Sequence, residues 1–260
     1  MKITLIGAGN LATNLGKALF HAGHEILQVY SRTYESAEPL AAILDSQPIV
    51  DLFLLTSKAD VYIIAVKDSV LMHLLPDVCA VNPEAVFAHT AGSMPMDCFR
   101  GIACHYGVFY PMQTFSKSRE VDFSVIPCFL EANDEKASQL LKIMAESVSK
   151  NVRYLSSEKR KYMHLAAVFA CNFTNHCYAL AEKVLKKCDL PFQVLLPLID
   201  ETAAKVHDLS PQQAQTGPAV RYDTNVINAQ ARLLSDNSGL QDIYEQLSKS
   251  IHLTTIQEND

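Results

Sequence analysis

The sequence lacks the features that mark several large classes of protein. Its seven cysteines are an odd number and include no C-x-x-C pair, so neither a disulfide framework nor a zinc site is indicated. No uninterrupted apolar run approaches the roughly 20 residues that a membrane span needs, and the first residues show none of the segments of a signal peptide. We therefore expect a protein of the reducing cytoplasm with no membrane partner.

An excess of basic residues is also missing. The chain of 260 residues carries 22 lysines and arginines against 28 aspartates and glutamates, a formal charge of −6. This balance argues against nucleic acid as the main partner. The sequence also contains no Walker loop, no H-E-x-x-H motif, no Ser-His-Asp order and no carboxylate pair at metal-binding spacing, so we expect a small-molecule substrate and no metal.

What the sequence does contain is a glycine-rich turn between an apolar strand and a helix. Gly7, Gly9 and Ala12 match the G-x-G-x-x-G/A fingerprint of dinucleotide-binding domains. The first glycine permits the tight turn, the second lets a pyrophosphate approach the backbone, and the alanine lets the helix pack against the strand. The amides of Asn10 and Leu11 at the helix N-terminus then favour phosphate binding. A glycine-rich turn of another α/β protein is the alternative.

The second predicted strand, residues 25–32, favours one cofactor over another. A fingerprint selective for NAD places Asp or Glu at the end of this strand, where it bonds the ribose hydroxyls. Here the sequence instead reads Ser31, Arg32 and Thr33. Two hydroxyls and a guanidinium suit a 2′-phosphate, so we expect NADP(H). The alternative is that Arg32 is only a solvated residue after the strand.

Two further buried strands, residues 60–66 and 85–89, end where such a sheet binds its cofactor, since the carboxyl ends of the strands face the crevice. The candidate cofactor neighbours at these ends are Val66, Lys67, Asp68, Thr90, Ala91 and Gly92. The first three are expected on the adenosine side and the last three near the nicotinamide. His89, which ends the second of these strands, is either a site residue or only a strand-end histidine.

The alternation of strands and helices predicts an α/β fold with a doubly wound, mostly parallel sheet. Residues 109–115 are predicted as a loop, and residues 124–131 and 152–155 as later strands. The alternation ends near residue 156, so we expect a Rossmann domain over residues 1–155 and an all-α substrate and dimerisation domain over residues 156–260. A helix predicted over residues 157–187 has an apolar centre at 165–171, which indicates burial on most sides.

Polar residues interrupt this apolar helix. His164 and Asn172 fall on one drifting stripe of the helix, where a buried side chain needs a hydrogen-bond partner. If the stripe faces the crevice, His164 is the candidate proton donor, because imidazole titrates near neutrality. Asn172 is then the candidate substrate holder, and Lys161, one turn earlier, is an alternative acid. In the other interpretation these polar residues only tie helices together.

Two candidate substrate contacts lie outside this helix. Arg221 stands beside a Gly-Pro turn, and its guanidinium suits a substrate carboxylate or a cofactor phosphate; a surface salt bridge is the alternative. Gln113, in the predicted loop, is the second candidate contact.

Six stretches together resemble a bacterial Rossmann-like NADP oxidoreductase family whose C-terminal half is catalogued as domain of unknown function 2520. They are residues 7–12, 31–32, 89–93, 110–115, 164–172 and 216–223. The family is similar to 6-phosphogluconate dehydrogenase, ketopantoate reductase, pyrroline-carboxylate reductase and the deazaflavin-dependent NADP reductases. The resemblance implies an NADP-binding N-terminal domain, a C-terminal domain like that of 6-phosphogluconate dehydrogenase, frequent dimers and ketopantoate reduction by some members.

The sequence departs from this family at two places. Relatives often carry a lysine and then an asparagine on the first C-terminal helix, whereas here His164 and Val168 stand at those places and Asn172 remains. The family's turn usually reads T-G-P…R-G-D, and this sequence has Tyr222 where that pattern has its second glycine. We expect an NADP(H)-dependent reductase of a small oxo acid or related carbonyl that forms homodimers. The alternatives are an imine reductase and a protein that senses NADP(H) without turnover.

Overall fold

The computed structural model describes residues 1–257, and a single eight-stranded sheet organises the first two-thirds of them. The strand order across the sheet is β3-β2-β1-β4-β5-β6-β7-β8. The strands are β1 (Lys2–Ile6), β2 (Glu25–Tyr30), β3 (Gln47–Ile49), β4 (Val61–Ile64), β5 (Val86–His89), β6 (His105–Pro111), β7 (Cys128–Ala132) and β8 (Val152–Tyr154).

The first six strands are parallel to one another, so their carboxyl ends meet at one edge of the sheet. Only β7 runs antiparallel to its neighbour β6, and β8 is parallel to β7. The strand order reverses direction between β1 and β4, which is the switch point where such sheets form a crevice. The predicted α/β fold with a mostly parallel sheet is confirmed.

Helices cover both faces of the sheet, which explains the continuous apolar strands. They are α1 (Asn10–His21), α2 (Tyr34–Ile43), α3 (Asp68–Cys79) and α4 (Glu135–Val148). In β4, Val61 and Ile63 belong to the core on one face, whereas Tyr62 and Ile64 belong to the core on the other. Successive strand residues point to opposite faces, so a strand covered on both sides must be apolar throughout.

The prediction of a loop over residues 109–115 is wrong in its first part. Phe109, Tyr110 and Pro111 belong to β6, where Phe109 pairs with Leu130 and Tyr110 with Phe129 of the antiparallel β7. These partners lie about twenty residues further along the chain, so no local pattern marks the pairing. The extension of β6 carries Tyr110 to the edge where the parallel strands end.

The remaining described residues are helical. The helices are α5 (Ser157–Ala167), α6 (Thr174–Leu185), α7 (Leu196–Asp208), α8 (Thr224–Arg232) and α9 (Ser238–Gln257). A π-helical turn, Val168–Phe173, joins α5 directly to α6, so the long predicted helix exists but changes its winding at its centre. None of the helices over residues 1–257 is both long and apolar enough to cross a membrane.

The expected burial of the apolar helix centre is not observed within one chain. Leu165 is 52% exposed and Phe169 is 62% exposed. A helix that is apolar on all sides is normally buried by other protein surface. That surface can belong to the same chain or to another molecule, and the sequence pattern does not distinguish the two.

The chain forms two compact units, Met1–Asn172 and a second unit that begins at Phe173. This division lies beyond the predicted boundary at residues 155 and 156, because α5 packs on the sheet through Arg160, which pairs with Glu131 of β7. A functional division at the earlier boundary stays a prediction.

Candidate functional site

The turn after β1 has the geometry that a dinucleotide fingerprint requires. Gly7 has φ +122°, and a Cβ there would lie 2.4 Å from the carbonyl oxygen of Ala65. Only glycine avoids this collision between the turn and the end of β4. A Cβ on Gly9, by contrast, would meet no atom within 4 Å, so the second glycine borders open space.

The N-terminus of α1 presents free amide groups beside this turn. Its N-cap is Gly9, no side chain caps it, and its first turn contains no acidic residue. Asn10, Leu11 and Ala12 form this first turn, and the side chain of Ala12 is buried as predicted. Uncapped amides and the positive end of the helix dipole both favour an anion.

A cavity of about 270 Å³ adjoins the glycine turn. Its lining residues are Gly7, Ala8, Gly9, Tyr30, Ser31, Arg32, Ser36, Ala65, Val66, Lys67, Val70 and Leu74. Six predicted cofactor residues are among them, and Ser36 is an addition that the sequence interpretation missed. Ser36 accepts a hydrogen bond from Thr33 at 3.0 Å between the hydroxyl oxygens, at the start of α2. The sequence signal that could have identified Ser36 was its hydroxyl in the first turn of the helix that follows β2.

The chemistry of this lining fits a phosphorylated dinucleotide. It includes Arg32 and Lys67, and no aspartate or glutamate is among its described members. The glycine turn and the uncapped helix offer amides on the same side. Cationic and hydroxyl side chains suit a phosphate ester, whereas a carboxylate would repel it.

His89 is an interior residue that holds the turn after β5. Its Nδ1 accepts a hydrogen bond from the Ala91 amide at 3.1 Å, and its Nε2 lies 3.4 Å from the carbonyl oxygen of Pro95. Burial, followed by the positive charge of Arg160, lowers the pKa of His89 to about 4. The imidazole is therefore neutral, and it fixes the backbone of the turn that contains Thr90 and Gly92.

Asp68 also holds this turn. As the first residue of α3, it accepts a hydrogen bond from the hydroxyl of Ser93. The contact joins the carboxyl ends of β4 and β5, whereas Lys67 beside it is exposed.

His164 lies directly on the same turn. A Cβ on Gly92 would lie 2.5 Å from Nδ1 of His164, so the imidazole rests on the bare backbone of the glycine. The hydroxyl of Tyr110 is 3.0 Å from the same nitrogen. The sequence analysis named His164 and Gly92 separately, and the structure brings them together. Tyr110, which the sequence analysis did not name as a site residue, joins them.

A buried ion pair fixes the helix that carries His164. Arg160 is 1% exposed, and its guanidinium donates to Glu131 at 2.6 Å, to the carbonyl oxygen of Met94 at 2.7 Å and to the hydroxyl of Ser157 at 3.1 Å. Burial acts to raise the pKa of Glu131, but hydrogen bonds from Ser157 and Arg160 outweigh it and leave this pKa below its ordinary value. Arg160 stands one helical turn before His164, so helical spacing could have indicated it.

A second cavity, of about 510 Å³, lies beside His164. Its lining residues are Tyr110, Met112, Gln113, Thr114, Met163, His164, Ala166, Ala167, Ala170, Cys171 and Asn172. Three predicted substrate-site residues, His164, Gln113 and Asn172, are among them. The π-helical turn supplies the last of these, and such turns are frequent at functional sites. Lys161 is exposed and is not among the lining residues.

Asn172 is exposed and His164 is half-buried, so the expected burial of this helix does not extend to both polar side chains within one chain. The side of the helix that faces the cavity is open, because the small side chains of Ala166, Ala167 and Ala170 do not fill it.

Arg221 belongs to the second unit and is exposed. The residue after it, Tyr222, has φ +51° and stacks on His252 with ring centroids 4.5 Å apart. The backbone of Tyr222 thus lies in the left-handed region that favours glycine, the residue of the family's turn at this position. Asp223 caps α8 by accepting from the amide of Val226.

No group of three or more histidine, cysteine, aspartate or glutamate residues within residues 1–257 is arranged to hold a metal ion.

Comparison with known families divides the chain into two parts. Residues 2–87 match the family described as "NADP oxidoreductase coenzyme F420-dependent", and residues 126–251 match "Domain of unknown function (DUF2520)". No curated protein matches the chain.

Solved structures resemble the chain over almost its entire length. A candidate NADP oxidoreductase from Bacteroides fragilis is 55% identical, with 96% of this chain and 97% of that chain covered and a TM-score of 0.94. A protein from Thermotoga maritima is 22% identical, with coverages of 97% and 99% and a TM-score of 0.79. An imine reductase from Myxococcus stipitatus, in complex with NADP⁺, is 16% identical, with coverages of 99% and 93% and a TM-score of 0.65. The last two show likeness of fold, and the first shows kinship: the chain belongs to the Rossmann-like NADP oxidoreductase family whose C-terminal part is DUF2520.

Proposed function

We propose that the protein is an NADP(H)-dependent reductase of a small oxo acid or related carbonyl compound. The observation that carries the proposal is the position of His164. This imidazole lines the 510 Å³ cavity and rests on Gly92, in the turn at the carboxyl end of β5. In such sheets the carboxyl ends of the strands border the cofactor crevice.

The proposed cofactor is NADP(H), held by the glycine turn, the N-terminus of α1 and the residues at the end of β2. Arg32 and the hydroxyls of Ser31 and Ser36 line one cavity and would hold the 2′-phosphate. Thr33 would support them through its hydrogen bond to Ser36.

Arg32→Ala is expected to weaken NADPH binding by roughly ten- to a hundred-fold, because a lost hydrogen bond to a charged group costs about 1.5–3 kcal/mol. NADH lacks the 2′-phosphate, so its binding should change little. Calorimetric titration of both cofactors against both proteins measures the effect.

Arg153→Ala is the matched control, because Arg153 is exposed on β8, at the sheet edge opposite β3, and its side chain bonds the nearby Asn151. It should bind both cofactors like the wild type. Equal affinities of the wild type for NADPH and NADH would refute the preference.

The proposed reaction divides the work between cofactor and protein. Bound NADPH supplies the hydride that reduces the carbonyl carbon. His164 delivers a proton to the carbonyl oxygen, and Gln113 and Asn172 hold the polar groups of the substrate. Met112 and Met163 give the cavity an apolar wall.

An imine is the second candidate substrate, and one observation favours it. The described lining of the 510 Å³ cavity includes no arginine or lysine that would bind a carboxylate. An oxo acid therefore needs a cation from elsewhere, for which Arg221 is our proposal. A solved relative in the same fold is an imine reductase with bound NADP⁺.

Turnover distinguishes these proposals. NADPH consumption with a panel of small oxo acids supports the first, and consumption with cyclic imines alone supports the second. Tight NADPH binding without consumption of any substrate would indicate a sensor and overturn both.

We further propose a cytoplasmic homodimer that assembles through the helical region. The compartment is suggested by seven free cysteines, and the assembly by the exposed apolar side chains of α5. Tyr162 is 78% exposed and Leu165 is 52% exposed, and a second copy of the chain would cover them.

Light scattering at micromolar concentration is expected to report about twice the chain mass of 28.8 kDa. Leu165→Asp should yield monomers, because a charge would be buried in the interface. Phe53→Asp, at an exposed apolar residue outside the helical region, should leave the dimer intact. A wild-type monomer would contradict the proposal.

A further inference from the structure

Tyr110 and His164 form a hydrogen-bonded pair in the wall of the 510 Å³ cavity. The phenol oxygen lies 3.0 Å from Nδ1, and the two rings meet edge-on at 74° with centroids 6.0 Å apart. Tyr110 is buried at the end of β6, whereas His164 is half-buried on α5. The pair thus joins an interior phenol to a ring that reaches the cavity.

The contacts of the imidazole determine which of its nitrogens is available to a substrate. Tyr110 and the backbone of Gly92 cover the Nδ1 edge. Over residues 1–257, no protein group makes a hydrogen bond with Nε2. A phenol that donates to Nδ1 requires the neutral tautomer with its hydrogen on Nε2.

We propose that Tyr110 is the proton source of a relay through His164, an inference that rests on the proposed reductase function. As the carbonyl carbon gains its new C–H bond, the C=O π pair becomes a lone pair on oxygen and takes the proton from Nε2. At the same time the O–H bond of Tyr110 breaks and a new N–H bond forms at Nδ1. The negative charge ends on the phenol oxygen. After the product leaves, a proton from solvent enters at Nε2 and the hydrogen on Nδ1 returns to the phenol oxygen, which restores both starting forms.

The buried Arg160 supports both stages of this relay. Burial raises the pKa of Tyr110, so its phenol keeps its proton at neutral pH. The nearby guanidinium of Arg160 acts in the opposite direction and stabilises the phenolate that the relay leaves. Its bonds to Glu131, Ser157 and Met94 hold it in place throughout.

Few other charged or titratable groups face the pair. Among residues 1–257 they are Arg160 of α5, its partner Glu131 of β7, the neutral His89 of β5, Asp68 of α3, which bonds Ser93 of the adjoining turn, and Cys171 of the π-helical turn, which lines the same cavity. The turn formed by residues 90–96 has none. The imidazole and the phenol are therefore the groups whose protonation sets the proton supply.

The pH profile of Tyr110→Phe tests the relay. Without the phenol, His164 can donate only as imidazolium, so kcat should fall as pH rises from acid to mildly alkaline values and removes that proton. At the upper end the loss should reach about 10²-fold, the lower limit of general acid catalysis. Wild-type kcat should stay nearly constant over this range.

Tyr106→Phe is the matched control, because Tyr106 is also buried on β6 but stacks on Phe99 at 5.5 Å, away from the cavity. It should keep the wild-type profile. A Tyr110→Phe enzyme whose kcat drops equally at every pH would overturn the relay and leave Tyr110 a packing residue.

A second readout needs no turnover. In ¹⁵N spectra of the protein without ligand, His164 should carry its hydrogen on Nε2, and Tyr110→Phe should give a mixture of tautomers. A hydrogen on Nδ1 in the wild type would overturn the relay whatever the activity. If the predicted tautomer is found but no substrate is reduced, the proposed function fails and the hydrogen-bonded pair stands.

Discussion

Replacing His164 by alanine is expected to lower kcat by about 10²–10⁴-fold, the usual contribution of a general acid. NADPH binding should stay near that of the wild type, because His164 does not line the 270 Å³ cavity of the glycine turn. Steady-state kinetics with the best substrate of the panel, together with calorimetric titration of NADPH, measure the two effects separately.

His73→Ala provides the control for this experiment. His73 is exposed on α3, so the same loss of an imidazole should leave kcat and NADPH binding unchanged. If His164→Ala keeps full activity, or loses NADPH binding and thermal stability together, His164 is a packing residue. Lys161 would then be the next acid to test.

Arg160→Met is expected to lower the free energy of unfolding by about 3–5 kcal/mol, because it leaves a buried carboxylate without its partner. Glu131 is only 17% exposed and would retain its negative charge, with hydrogen bonds from Ser157 but without its cation. Urea unfolding of both proteins at neutral pH measures the difference. The double replacement Glu131→Gln with Arg160→Met should recover part of the free energy of unfolding that Arg160→Met loses.

The pH dependence of this loss has a definite sign. The pKa of Glu131 is lowered in the folded wild type, so the ion pair contributes fully above the ordinary carboxyl value of about 4.3 and is lost as pH falls below it. In Arg160→Met, burial should raise the pKa of Glu131. As pH falls, protonation of Glu131 then removes the unpaired charge that destabilises the variant. The difference in unfolding free energy between the two proteins should therefore narrow as pH falls.

The exposed pair of Arg100 and Asp97 is the matched control. Its atoms lie 2.8 Å apart, but its side chains are 75% and 54% exposed. Arg100→Met should cost no more than about 1 kcal/mol, because water screens the charges. Equal losses in Arg100→Met and Arg160→Met would contradict the role given to the buried pair.

Local chemistry was enough to predict the cofactor end of the fold. The turn after β1 needs a glycine at φ +122°, a second glycine beside open space and a buried alanine. These three requirements fall on residues that are close together in the sequence. The apolar runs of β4 and β5 likewise follow from burial on both faces of the sheet. Such features depend on backbone sterics and on strand periodicity, which the sequence displays directly.

The reacting end of the candidate site could not be assembled in this way. Tyr110 and His164 are 54 positions apart, and Glu131 and Arg160 are 29 positions apart. The extra residues of β6 exist because an antiparallel strand pairs with them, and that pairing carries Tyr110 to the histidine. No periodicity along the chain encodes such contacts.

The sequence by itself thus determined the parallel α/β sheet and the glycine turn, because each depends on neighbouring residues. Only the tertiary structure decided that His164 rests on Gly92, that Tyr110 bonds its Nδ1, and that the apolar helix centre is exposed within one chain. These outcomes depend on contacts between residues that are far apart in the sequence, and the burial of a side chain depends on the same contacts.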